Sequence, residues 1–232
     1  MTIKLLTFDL DHTLWNPDAV LRKADLLCYQ YLVEQSPVTG QMFSQKDIWE
    51  YRLQLAQSYP DLSFRMSALR EESLRRILLQ SGVESNRAAQ IAKDAFQVFY
   101  QARSQITFFD GAVATLEQLA SKYPLIAITN GNADLNLIGI NHLFKAYLNP
   151  DLIGFAKPSA EIFHVALKEA GVNASAAVHI GDNPETDVLA AKAVGMKTVW
   201  MNYDHSTWQH NQRPDAEITE IIQLPIALKT LL

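Results

Sequence analysis

The chain has 232 residues, 48% of them hydrophobic and 19% charged, with a net charge of -5 from 20 basic and 25 acidic side chains. That composition can bury a core, and it excludes a disordered or fibrous chain as well as the clustered cationic surface that broad nucleic-acid binding needs. The single cysteine, Cys28, excludes an internal disulfide and a cysteine-rich zinc site, and its apolar helical context reads as packing.

In chain order, the first element is the apolar run "IKLLTF" at 3–8, which reads as a buried strand and leads into Asp9, Asp11 and Thr13. Two carboxylates one residue apart repel, so a plain surface turn has little reason to keep them. A divalent cation or a division of acid and base roles supplies that reason. Asp9 also breaks the run before a signal-peptide core forms, and no stretch is long enough to span a membrane. A cytoplasmic protein is expected, with no membrane or nucleic-acid partner; the sequence sets no oligomeric state and is compatible with a monomer.

From 15 to about 107 the apolar residues recur at helical spacing (Leu74, Ile77, Leu78; Ala92, Ala95, Phe96, Phe99) without a strand-like run. Strands then return at "PLIAIT" (124–129), "AAVHI" (176–180) and "KTVWM" (197–201). Between them run helical patterns through Val113, Leu116 and Leu119, and through Ile162, Phe163, Ala166, Leu167 and Ala170, the second with Ser159 as N-cap and Gly171 as its stop. Strands and helices in alternation make right-handed crossovers, hence an α/β fold with a doubly wound parallel sheet, a Rossmann-like core. The expected division is a core of 1–14 and 108–232 with a helical cap domain, 15–107, inserted after the first strand. Ligands bind at the carboxyl edge of such a sheet, so the cap is expected to act as a lid there.

Four segments collect at that edge: Asp9 and Asp11, "TNGN" (129–132), "KPS" (157–159) and "GDNPETD" (181–187). Asp9 and Asp182 are hard oxygen ligands of the kind Mg2+ takes. With a phosphate ester partly neutralised, one carboxylate can attack phosphorus and split hydrolysis into two easier steps. Asp11 is placed to protonate the leaving oxygen and later to take a proton from water. Lys157, Thr129, Asn130 and Gly131 supply charge and donors to phosphoryl oxygens, with Pro158 constraining the backbone of Lys157.

This set resembles the haloacid dehalogenase-like hydrolases: DxDxT at Asp9 to Thr13, Thr129 after the second strand, Lys157 with Pro158, and a GDxxxxD ending at Asp187, all in that family's order. The resemblance implies that Asp9 is the nucleophile and a magnesium ligand, and that Asp11 is the general acid/base and gives its backbone carbonyl to the metal. Thr129 and Lys157 stabilise the phosphoryl group, and Asp182 is a further ligand. Members that cleave carbon–halogen bonds lack an acid at the position of Asp11, so the resemblance is to the phosphatase branch with a small helical cap. "PLIAITNGNA", "KP" and "HIGDNPETDV" are most similar to bacterial phosphatases of flavin mononucleotide or of a phosphorylated pyrimidine precursor of riboflavin.

Asn183 stands where many relatives carry Asp or Ser, which leaves the metal's surroundings to Asp187 or water. Asp187 has a second reading as a helix cap. His12 reads as structural, and Trp15 as a hinge anchor or a pocket wall. Phe64, Arg65 and Arg70 read either as contacts to a flat substrate ring and its anion or as a solvated helix start. The expected activity is magnesium-dependent hydrolysis of a small-molecule phosphomonoester through a phosphoaspartate. A phosphomutase or phosphotransferase acting on a sugar phosphate and a non-catalytic phosphate-sensing module are the alternatives.

Overall fold

In the computed structural model, which describes residues 2–231, six strands form one parallel sheet. They are β1 (Leu5–Phe8), β2 (Leu125–Ile128), β3 (Ala146–Leu148), β4 (Ala177–Gly181), β5 (Lys197–Met201) and β6 (Ala216–Ile218), in the order β3-β2-β1-β4-β5-β6. The order reverses between β1 and β4, which is the switch point where a doubly wound sheet opens a crevice at its carboxyl edge. Register carries the site with it: Phe8 lies beside both Ala127 and Ile180, so the residues that follow β1, β2 and β4 emerge side by side.

The central strands are fully buried and apolar except for Thr7 and His179, as a sheet covered on both faces requires. One face, with Leu5, Ile126, Ile128 and Ala177, packs on Ile162, Phe163, Ala166 and Leu167 of the helix Ala160–Ala170. That helix stops at Gly171, whose φ of +68° suits a residue without Cβ. Its start differs from expectation. Ser159 holds the N-cap position but makes no cap bond, because its hydroxyl donates to the Glu161 carboxylate. The expected strands are all present; β3 and β6 are additional and only three residues long, too short for a hydrophobic period to declare itself.

The chain divides into two compact units. One holds the sheet and comprises residues up to Asn16, Thr107–Gly131 and the chain from Gly139 on; the other comprises Pro17–Ile106 and Asn132–Ile138. The second is helical, built on Asp18–Gln35, Gln45–Ser58, Met66–Gln80 and Ser85–Arg103. Its core joins Cys28 and Leu32 to Leu74, Ile77, Leu78, Ala92, Ala95, Phe96 and Phe99, the last seven being the residues whose spacing announces the helices. A reciprocal capping box between Ser44 and Asp47 starts one of them, and the Glu84 carboxylate caps another by accepting from Asn86 and Arg87. Burial pushes the Cys28 thiol up to about 11, so it is an apolar filler here.

Phe163 is fully buried and meets the His179 ring edge-on at 5.1 Å. Truncating it removes a large apolar body and leaves a cavity. Phe163→Ala is expected to cost about 3–5 kcal/mol, read as a lowered urea midpoint.

Candidate active site

Asp9 leaves the end of β1 with its backbone N–H donating to Ile180 of β4 at 2.8 Å, which fixes it at the switch point. A tight turn follows. Thr13 and Leu14 both donate to the Leu10 carbonyl, and His12 adopts φ +61°, a left-handed conformation that a non-glycine residue keeps only when its surroundings hold it. The His12 N–H donates to the Trp15 carbonyl at 2.7 Å, and its ring stacks on Tyr203.

The centre of the site is an ammonium. Lys157, 4% exposed, donates to Asp9 Oδ1 at 2.6 Å and to Asp187 Oδ1 at 2.5 Å. Burial opposes its charge, but Asp187 and Asp9 overcome that and hold its pKa above the ordinary lysine value. The segment around it is fixed by Asn130, whose side chain accepts from the Lys157 N–H and donates to the Lys157 carbonyl, both at 2.8 Å. The Lys157–Pro158 peptide bond is cis. The Asn130 side chain thus places the lysine segment.

Asp187 is saturated. It accepts from Lys157, from the Asn183 N–H at 3.0 Å and from His179 Nε2 at 3.1 Å. Burial works against its charge, yet Lys157 and His179 bring it down to about 2. Burial lowers the pKa of His179 and keeps it neutral. Facing an ionised carboxylate, Nε2 carries the ring proton, which leaves Nδ1 to accept from the Thr7 hydroxyl at 2.8 Å. Asp187 does not cap the following turn; Asn183 does, accepting from Glu185 and Thr186. Gly181 makes room for this arrangement, since a Cβ there would lie 2.4 Å from Asp187 Cγ.

Asp9 and Asp182 are in the opposite condition. Burial, followed for Asp9 by Asp187 and Asp182 acting against Lys157, raises the Asp9 carboxyl well above its ordinary value. Burial and then Asp187 push Asp182 up to about 6. The Asp182 carboxylate accepts a long contact from the Thr13 hydroxyl at 3.4 Å, and its backbone carbonyl accepts from Trp200 Nε1 at 2.6 Å. Oxygens of Asp9, Asp182 and Asp187 lie within 4.8 Å of one another. Carboxylates held together against their mutual charge, with the Thr13 hydroxyl at 3.4 Å from both Asp9 Oδ2 and Asp182 Oδ1 and able to donate to one of them at a time, suit a divalent cation such as magnesium.

Beside them, Thr129 is buried and its hydroxyl oxygen accepts from the Gly131 N–H at 3.0 Å, which leaves its own O–H to donate. The Gly131 N–H is therefore occupied by Thr129. A Cβ at Gly131 would stand 2.5 Å from Asp11 Oδ2 and 3.3 Å from Thr129 Oγ1, so the Asp11 carboxylate lies directly over that glycine. Asp11 Oδ1 accepts from the Trp15 indole N–H at 2.7 Å.

Other expected site residues belong to the helical unit. Arg70 donates to Asp25 and lies 3.5 Å above the Phe99 ring, so its guanidinium joins three helices of that unit. It also lines a cavity of about 270 Å³ with Asp25, Cys28 and Arg52. Phe64 and Arg65 sit between the short helix Pro60–Ser63 and the helix that begins at Met66, both half-buried. Sequence reasoning missed His179 and Trp200. Their one local signal is a polar or indole side chain on an otherwise apolar strand.

Comparison with known proteins follows the same line. A family model described as haloacid dehalogenase-like hydrolase matches residues 3–195. Over 226 residues, 96% of this chain and 94% of the relative, the sequence is 29% identical to the 5-amino-6-(5-phospho-D-ribitylamino)uracil phosphatase YigB of Escherichia coli K12. A solved structure described as 2-haloacid dehalogenase from Pseudomonas syringae pv. Tomato DC3000 is 38% identical, with a TM-score of 0.95 over 100% of both chains. The magnesium-bound putative hydrolase YfnB of Bacillus subtilis, 22% identical, shares the fold with a TM-score of 0.64 over 98% of this chain and 99% of that one.

Removing the ammonium leaves two buried carboxylates without their common partner. Lys157→Met is expected to lose about 3–5 kcal/mol of stability at neutral pH, seen in chemical denaturation. An unchanged midpoint would mean that Asp9 and Asp187 are neutralised in some other way. Gly181→Ala is expected to displace Asp187 and lower both stability and turnover, whereas a freely adjusting Asp187 would leave both as they were.

Proposed function

We propose a specific reaction for this chain, which belongs to the haloacid dehalogenase-like hydrolases and is a phosphoric monoester hydrolase within them: magnesium-dependent hydrolysis of a small-molecule phosphomonoester through a phosphoaspartate on Asp9. The observation that carries it is Asp11. It is a fourth carboxyl group outside the Asp9, Asp182 and Asp187 cluster, bonded by Trp15 and set over Gly131 beside Thr129.

In the first half-reaction an Asp9 oxygen attacks phosphorus and the P–O bond to the leaving group breaks, its electron pair going to the leaving oxygen. Asp11 delivers a proton to that oxygen. In the second, Asp11 takes a proton from water, which attacks phosphorus and frees Asp9 and inorganic phosphate. Lys157 keeps Asp9 in place and offers positive charge to the transferring group, while the Thr129 O–H donates to it. Asp9 and Asp182, with the backbone carbonyl of Asp11, would hold the magnesium. The ion supplies neutralisation of the ester's negative charge and Lewis acidity at its oxygens.

For substrate we propose a ribityl or nucleotide monophosphate, such as flavin mononucleotide or the phosphorylated ribitylaminouracil on which YigB is named as acting. The rival reaction is dehalogenation, for which the description of the 38%-identical structure speaks. An acid for a leaving oxygen has no task in halide displacement, and Asp11 decides between them.

The test is release of phosphate from a panel of flavin, nucleotide, sugar and vitamin monophosphates, with magnesium and with chelator, beside halide release from 2-haloacids. Magnesium-dependent phosphate release with no halide is expected. Asp9→Asn should abolish it, and Asp11→Asn should lower it by about 10²–10⁴-fold. Halide release with no phosphate, or wild-type turnover by Asp9→Asn, would overturn the reading.

A further inference from the structure

Trp15 is fully buried, yet it carries the indole N–H that bonds Asp11 Oδ1 at 2.7 Å. Its own position is fixed from several sides. The ring meets Phe108 edge-on at 5.6 Å, the backbone bridges to both Asp11 and Phe108, and its carbonyl accepts from His12. Next to it, the Leu14 carbonyl accepts from the Phe109 N–H at 2.9 Å. The donor is thus preorganised on a loop closed between Leu10 and Trp15.

An indole N–H donates and never accepts. The Asp11 oxygen that it meets must present a lone pair, and in a protonated carboxyl group the better acceptor is the oxygen without the proton. Oδ1 is therefore reserved as an acceptor. The proton goes to Oδ2, which lies over Gly131 on the side of Thr129, the hydroxyl with an O–H still to give.

Resting on the assignment of Asp11 as general acid, we propose that Trp15 is a positioning residue for the acid step: its N–H holds the Asp11 carboxyl in one rotamer and directs its proton to Oδ2, toward the leaving oxygen. As the P–O bond breaks, the electron pair passes to that oxygen and the Oδ2 proton follows, leaving an Asp11 carboxylate still bonded to Trp15. Steric packing alone would ask only for a large aromatic ring at position 15. The geometry asks for a donor.

The test compares wild type, Trp15→Phe and Asp11→Asn on a series of ring-substituted phenyl phosphates, from p-nitrophenyl phosphate, whose leaving group needs little protonation, to phenyl phosphates with electron-donating substituents, whose leaving groups need much. Trp15→Phe should lose at least about ten-fold more kcat on the poorest leaving group than on p-nitrophenyl phosphate, with KM little changed; Asp11→Asn should show the same tilt, larger. Site-specific 3-benzothienylalanine at position 15, which keeps the indole shape and lacks the N–H, should reproduce the tilt even if Trp15→Phe fails to fold. If Asp11→Asn tilts the series while the benzothienyl protein runs parallel to wild type, the role of Trp15 is overturned and that of Asp11 stands. If Asp11→Asn falls equally across the series, the acid assignment fails and the proposal falls with it.

Discussion

Lys157 brings an ammonium to a place where charge is costly to bury unless carboxylates meet it, and two do. Much of the site is arranged around that requirement. Asp9 comes from the end of β1, Asp187 from the turn after β4 and Lys157 from the segment after β3, so one cation ties together three stretches far apart in sequence. Asn130, at the end of β2, completes the arrangement by gripping the lysine's backbone rather than its charge. A parallel sheet with its order reversing between β1 and β4 is what lets these four stretches meet.

The electrostatics then separate the carboxylates by task. Asp187 accepts from Lys157, His179 and the Asn183 N–H, and its proton affinity falls. Asp9 and Asp182 sit near it with less hydrogen bonding, and their affinities rise. Burial raises all three; what sets Asp187 apart is the donors it receives. A saturated carboxylate serves the structure, and its under-served neighbours are left with affinity for a cation. Asp11 is held by Trp15 and given room by a glycine.

How much of this was legible in the sequence depends on how far apart the partners lie. The pair Asp9 and Asp11 after an apolar run is a local signal, and so are the helical periods through Leu74 to Leu78 and Ala92 to Phe99, all of which are buried where expected. β3 and β6 were not legible, because strands of three residues carry no period. The partners of each polar group were not legible either. Nothing local says that Asn130 binds the backbone at Lys157, 27 residues on, or that His179 shares Asp187 with it. Arg70 shows the converse: its stretch reads either as a ligand contact or as a solvated helix start, and neither reading names Asp25, which meets its charge, or Phe99, which lies under its face.

Two glycines show why residue types alone understate the site. Gly181 and Gly131 have no positive φ to account for them; each is small because a carboxylate occupies the space a Cβ would take. At Gly181 that carboxylate is Asp187, the partner of the lysine. At Gly131 it is Asp11, the proposed proton donor. Each glycine sets how closely a charged group can approach the backbone. The exclusion of a single methyl group thus supports both the charge balance around Lys157 and the placement of Asp11 beside Thr129.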